Sequence, residues 1–175
     1  MVFPRLDGRL GSESRDAEAV FDRTALSLWH RLEEGLSLEV VDGFCREQMA
    51  LAEAAQNQAA LEVLRHVHHF IRGLTGPSDG PAPEGESLRA SLGAISAAGL
   101  PAGVAFVRLL RQVSAFVFGR YQDAHREGEG ALPLRAAISG SRIEATQAYF
   151  RGLTAAAIFP TAAPESRAAL QAEIQ

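Results

Sequence analysis

The sequence is short of the residues that staple a chain, span a bilayer or attract a polyanion. Cys45 is the single cysteine in 175 residues, which excludes an intramolecular disulfide framework and a cysteine-based structural zinc site. Long apolar runs are missing. The richest stretch, LPAGVAFVRLLRQVSAFVF, is interrupted by Arg108, Arg111 and Gln112 and is too broken to span a membrane. Basic charge is in deficit as well: 17 Lys and Arg face 21 Asp and Glu, a formal charge of −4. That balance gives no electrostatic footprint for nucleic acid or anionic lipid, so neither is expected as a partner. Charges scattered through MVFPRLDGRLGSESRDAE leave no apolar centre for a secretory leader, and the expected compartment is the cytoplasm. Gly-rich phosphate loops, nucleophile elbows and HExxH pairs are also absent, so no catalytic activity of the chain's own is expected.

What is present is helical periodicity. Short alternating runs of β-branched residues do not occur, nor do Asn-Gly or Asp-Gly turns between such runs. The expected fold is all-α, a helical bundle with four long helices and shorter covering helices. Residues 1–13 read as a flexible N-terminal arm. Residues 14–175 read as a single helical-bundle domain with a loop at 76–86, where TGPSDGPAPEGES collects proline and glycine. Ser14 opens a helix to about Glu34, and Gly35 ends it. Ser37 caps the next, with Leu38, Val41, Phe44, Cys45, Met49 and Leu51 facing inward. Asn57 supplies a left-handed break before a helix at 58–75. Further helices follow at SLRASLGAISAAG and after Pro101, where Phe106, Leu109, Leu110, Val113, Phe116 and Val117 mark a central stripe. HREGEGALP reads as a second loop, followed by helices at 134–158 and from Pro164.

The helix at 58–75 holds three histidines in LRHVHHFIRGLTG. At 100° per residue, Leu61, Leu64, Val67, His68, Ile71 and Leu74 share a broad apolar face, with Val63 and Phe70 at its margin. His69 falls opposite, between Arg65 four residues before and Arg72 and Gly73 three and four after. An accessible neutral imidazole is a competent nucleophile near neutral pH. A neighbouring guanidinium offsets phosphoryl charge, and a glycine one turn along clears the approach of a partner. FIRGLTG is echoed 79 residues later by YFRGLTA, where Ala148 stands in the place of His69.

His69-Phe70-Ile71-Arg72-Gly73 resembles the His-x-(Leu/Ile)-Lys/Arg-Gly core of histidine-containing phosphotransfer (Hpt) domains, and VVDGFCREQMALAEAAQNQAALEVLRHVH is similar in layout to the helices before that core. The resemblance covers about residues 38–118. It implies a bacterial-type two-component signalling role, with His69 as phosphoacceptor, response-regulator receiver domains as partners and no cofactor. Arg72 stands where the family usually has Lys. Gly76-Pro77 breaks the helix earlier than the family pattern, and PSDGPAPEG has no counterpart there.

Other uses of these residues stay open. Glu62, His66 and His69 share a stripe at metal-ligand spacing. His68 reads as a core-edge residue, His30 and His125 as surface residues, and Cys45 as a small buried hydrophobe. The second functional reading is a non-enzymatic regulatory or sensory adaptor, acting by protein–protein interaction or as a homodimer through the apolar helices at 104–118 and 136–157.

Overall fold

Helical periodicity is realised throughout the residues that the computed structural model describes, 22–76 and 85–174. Among them there is no strand, and eight α-helices follow in order: α1 Ser27–Glu33, α2 Leu38–Ala54, α3 Gln58–Thr75, α4 Gly85–Ala97, α5 Pro101–Val117, α6 Tyr121–Ala131, α7 Arg142–Ile158 and α8 Pro164–Ile174. Four of them, α2, α3, α5 and α7, have 17 or 18 residues. The expected N-terminal arm, the Ser14 cap and most of the 76–86 loop lie outside the described residues. No described helix is long and apolar enough to cross a membrane.

The chain divides into two compact units, Met1–Gly103 and Val104–Gln175. The division falls inside α5, directly after Gly99, Pro101 and Gly103.

In the first unit a π-helical turn, Asp22–Leu26, leads into α1, which buries Leu28 and Trp29. Gly35 closes α1 at φ +76°, and the amides of Gly35 and Leu36 donate back to the carbonyls of Leu32 and Arg31. Ser37 occupies the N-cap of α2 with extended backbone, but its hydroxyl makes no capping bond. α2 buries Val41, Asp42, Cys45 and Ala52, whereas Leu51 is exposed rather than inward. Gln56, not Asn57, takes the left-handed conformation, at φ +53°. Asn57 is the N-cap of α3 instead, and its side-chain oxygen accepts the Ala60 amide at 3.0 Å.

α3 packs on α2 and on α4. Its buried arc is therefore wider than one stripe and takes in Val63, His66 and Phe70 beside Leu64, Val67 and Ile71. Phe70 meets the Trp29 ring at 6.1 Å. Gly103 marks a close approach, since a Cβ there would lie 3.0 Å from Ile95 and 3.3 Å from Val63.

In the second unit, Phe106, Leu109 and Leu110 are fully buried as expected, while Val117 is exposed. HREGEGA is not a loop: it is the body of α6. Its glycines serve packing rather than turning. A Cβ at Gly128 would lie 2.8 Å from the Gln112 amide nitrogen, and one at Gly130 would lie 2.8 Å from the Arg108 guanidinium. Just before them, Glu127 is buried and accepts from both Arg108 and Arg111 at 2.7 Å. These two ion pairs hold α6 on α5 through side chains that carry no apolar periodicity.

The expected helix at 134–158 is likewise two elements. A 3₁₀ stretch, Leu132–Ile138, ends before Gly140 at φ +74°, and Ser141 caps α7. α8 begins at Pro164, as proline at a first helical position predicts. Leu170 of α8 packs against Ala155 and Ile158 of α7.

Candidate functional site

The three histidines of α3 meet three different environments. His66 is buried, and its Nε2 lies 3.0 Å from Ser91 Oγ on α4. The Ser91 hydroxyl donates to Glu62 at 2.8 Å. Because that proton is committed, Nε2 of His66 is left to donate to the hydroxyl oxygen. Glu62 also accepts from Gln58 at 2.9 Å and from Arg65. Glu62 and His66 thus converge on a serine, and with His69 they do not form a metal-ligand cluster among the described residues. Ser91 gave no signal in the sequence, since nothing in SLRASLG separates it from an ordinary exposed serine.

His68 turns toward α2. Its Nε2 stands 3.1 Å from Asp42, which also pairs with Arg46 at 2.9 Å. Asp42 is almost wholly buried, so these partners offset the cost of removing its charge from water. Cys45, one turn along α2, is held near the Leu64 carbonyl at 3.6 Å. Burial first, then the Asp42 charge, push its thiol up to about 12, against a smaller opposing effect of Arg46. A thiol so disfavoured as thiolate is a poor nucleophile, and its burial agrees with the reading of Cys45 as a small buried hydrophobe.

His69 is half-buried rather than fully solvent-facing. It is the twelfth of the 18 residues of α3, so it stands away from the helix end. One turn on, Arg72 lines an open groove of about 420 Å³ with Leu38, Glu39, Asp42, Arg46, Thr75 and Gly76. A Cβ placed on Gly73 would meet no atom within 4 Å. The missing side chain therefore serves no internal close contact, unlike those of Gly103 and Gly128. Arg65 is directed to Glu62 in an exposed pair, so its charge is partly spent within the helix. Of the four residues predicted for the site, His69, Arg72 and Gly73 hold adjoining half-buried positions of α3, and Arg65 pairs with Glu62.

A second feature is a set of exposed apolar side chains. Val117, Phe118, Tyr121 and Tyr149 are exposed large side chains of the second unit. Behind them Phe116 packs against Tyr121 at 5.4 Å and against Phe150 at 5.6 Å. No protein-family model matches this chain, and comparison with curated proteins and with solved structures finds no match.

Proposed function

We propose that this chain is a helical signal-transduction protein of the cytoplasm that accepts a phosphoryl group on His69 and passes it between receiver domains. The observation that supports the reading most is Gly73: a glycine in a regular helix, with empty space where its side chain would be, one turn beyond a partly accessible histidine. Helix propensity disfavours glycine there by about 0.5–1 kcal/mol, and internal packing gives no compensation. Clearance for a docking partner does. A neutral ring nitrogen of His69 attacks the phosphorus of an aspartyl phosphate, the N–P bond forms as the acyl P–O bond breaks, and the partner's carboxylate leaves. Arg72, three residues on, is placed to offset the charge of the transferred group. His66 is bonded to Ser91, and His68 is paired with Asp42.

The exposed apolar side chains of Val117, Phe118, Tyr121 and Tyr149 favour a second reading, a non-enzymatic adaptor that binds a partner or a second copy of itself. One experiment separates the two. Phosphorylated receiver domains are incubated with wild type and with His69→Gln, and the label is tested for acid lability and base stability. Label on the wild type alone supports the relay. A folded wild type that takes no label from any receiver overturns it in favour of the adaptor.

A further inference from the structure

A second histidine lies in a setting that the relay does not use. His125 and Glu129 are four residues apart on α6, one turn along the same face. Glu173 reaches them from α8, and one ligand atom from each of the three lies within 4.8 Å of the others. The groups converge without satisfying one another. His125 is half-buried and makes no hydrogen bond, ion pair or ring contact among the described residues. Glu173 Oε2 is shut off from solvent and accepts no hydrogen bond. A buried carboxylate oxygen in that condition is costly and calls for a partner.

Arg151 of α7 is the nearest cation, and it serves the cluster poorly. Its Nη2 stands 3.3 Å from Glu129 and 3.4 Å from Glu173, longer than the 2.7–2.9 Å usual for charge-assisted bonds. Its own Nε is buried with no acceptor. One guanidinium charge faces two carboxylates, so one negative charge stays unmatched.

We propose that His125, Glu129 and Glu173 bind a divalent first-row transition cation of the Zn²⁺ type. One imidazole nitrogen with two carboxylates is a borderline donor set that suits such ions, and water completes the shell. Mg²⁺ and Ca²⁺, which favour all-oxygen shells, are the wrong class. Because Glu173 comes from a different helix, the ion ties α8 to α6 and binds the folded chain only. The site is independent of His69 and stands whether or not the relay does.

The test uses full-length protein freed of metal, titrated calorimetrically with Zn²⁺ and with Mg²⁺, alongside His125→Gln, Glu173→Gln and, as a control, the exposed His30→Gln. The expected result is one Zn²⁺ per chain with a raised melting temperature. Binding is weakened at least about tenfold in both site variants, the loss that even outer-shell changes can cause, and is retained in the control. Co²⁺ loaded into the wild type, read by its visible d–d bands, gives a measure that needs no variant to fold. No binding by folded wild type, equal binding by Mg²⁺, or Zn²⁺ affinity unchanged in either site variant overturns the proposal.

Discussion

Gly73 is the residue at which stability and the proposed relay make opposite demands. Replacing it with alanine adds a Cβ that meets nothing within 4 Å, so the helix gains propensity without strain. Gly73→Ala is expected to raise unfolding stability by about 0.5 kcal/mol, measured by urea denaturation. On the relay reading it slows phosphoryl transfer to His69, because the new side chain stands where the partner's surface must come. A stabilised variant with wild-type transfer would remove Gly73 from the site. Gly128 makes the opposite case: its Cβ would press on a fully buried Gln112 amide and on the Arg151 stem at 3.1 Å. Gly128→Ala is expected to destabilise by about 1–3 kcal/mol. The two substitutions are identical on paper and differ in sign because one glycine faces open space and the other a packed interior.

Elements are decided by residues at their ends, and there the sequence was only partly legible. Apolar spacing located α3 and α5 closely, because each presents a long periodic run. It failed at α6, where Glu127, Arg108 and Arg111 replace apolar contacts and where glycines that permit close packing look like glycines that make a turn. The same misreading concealed the metal candidate, since His125 and Glu129 share a face only if the segment is helical. The adjacency of His69, Arg72 and Gly73 was legible because spacing along one helix defines it. Ser91 and Glu173 were not, since each depends on which helix packs against which. The start of α7 gives a testable end effect. Glu144 accepts the Gly140 amide at 2.8 Å and pairs with Arg135 at 2.9 Å. The Gly140 bond first, then Arg135, hold its carboxyl below the ordinary value of 4.5. A lowered folded pKa means that the stabilisation is present at neutral pH and is lost as pH falls through that lowered value. Thermal melts of wild type and Glu144→Gln are therefore expected to differ at pH 7 and to converge at about pH 2. A gap that persists in acid would show that the glutamate acts through shape, not charge.

At the scale of the whole molecule the question is whether two compact units behave as one. The division at Gly103 and Val104 falls within the unbroken turns of α5. Helix formation is cooperative along an unbroken run, so α5 is the element through which the two units are expected to be coupled. Unfolding is thus expected to be concerted. The single tryptophan makes this measurable: Trp29, buried beside Phe70, reports on the first unit alone, while far-UV ellipticity sums all helices. In wild type the two signals are expected to trace one denaturant transition. Ala105→Pro, at the fifth residue of α5 and so beyond the first turn where proline is tolerated, costs about 3 kcal/mol or more and interrupts α5 just past the division. The ellipticity should then fall in two steps, one coincident with Trp29 fluorescence and one not. Two steps already present in the wild type would mean that α5 connects the units without coupling them. A single step in Ala105→Pro would mean that coupling runs through something other than this helix.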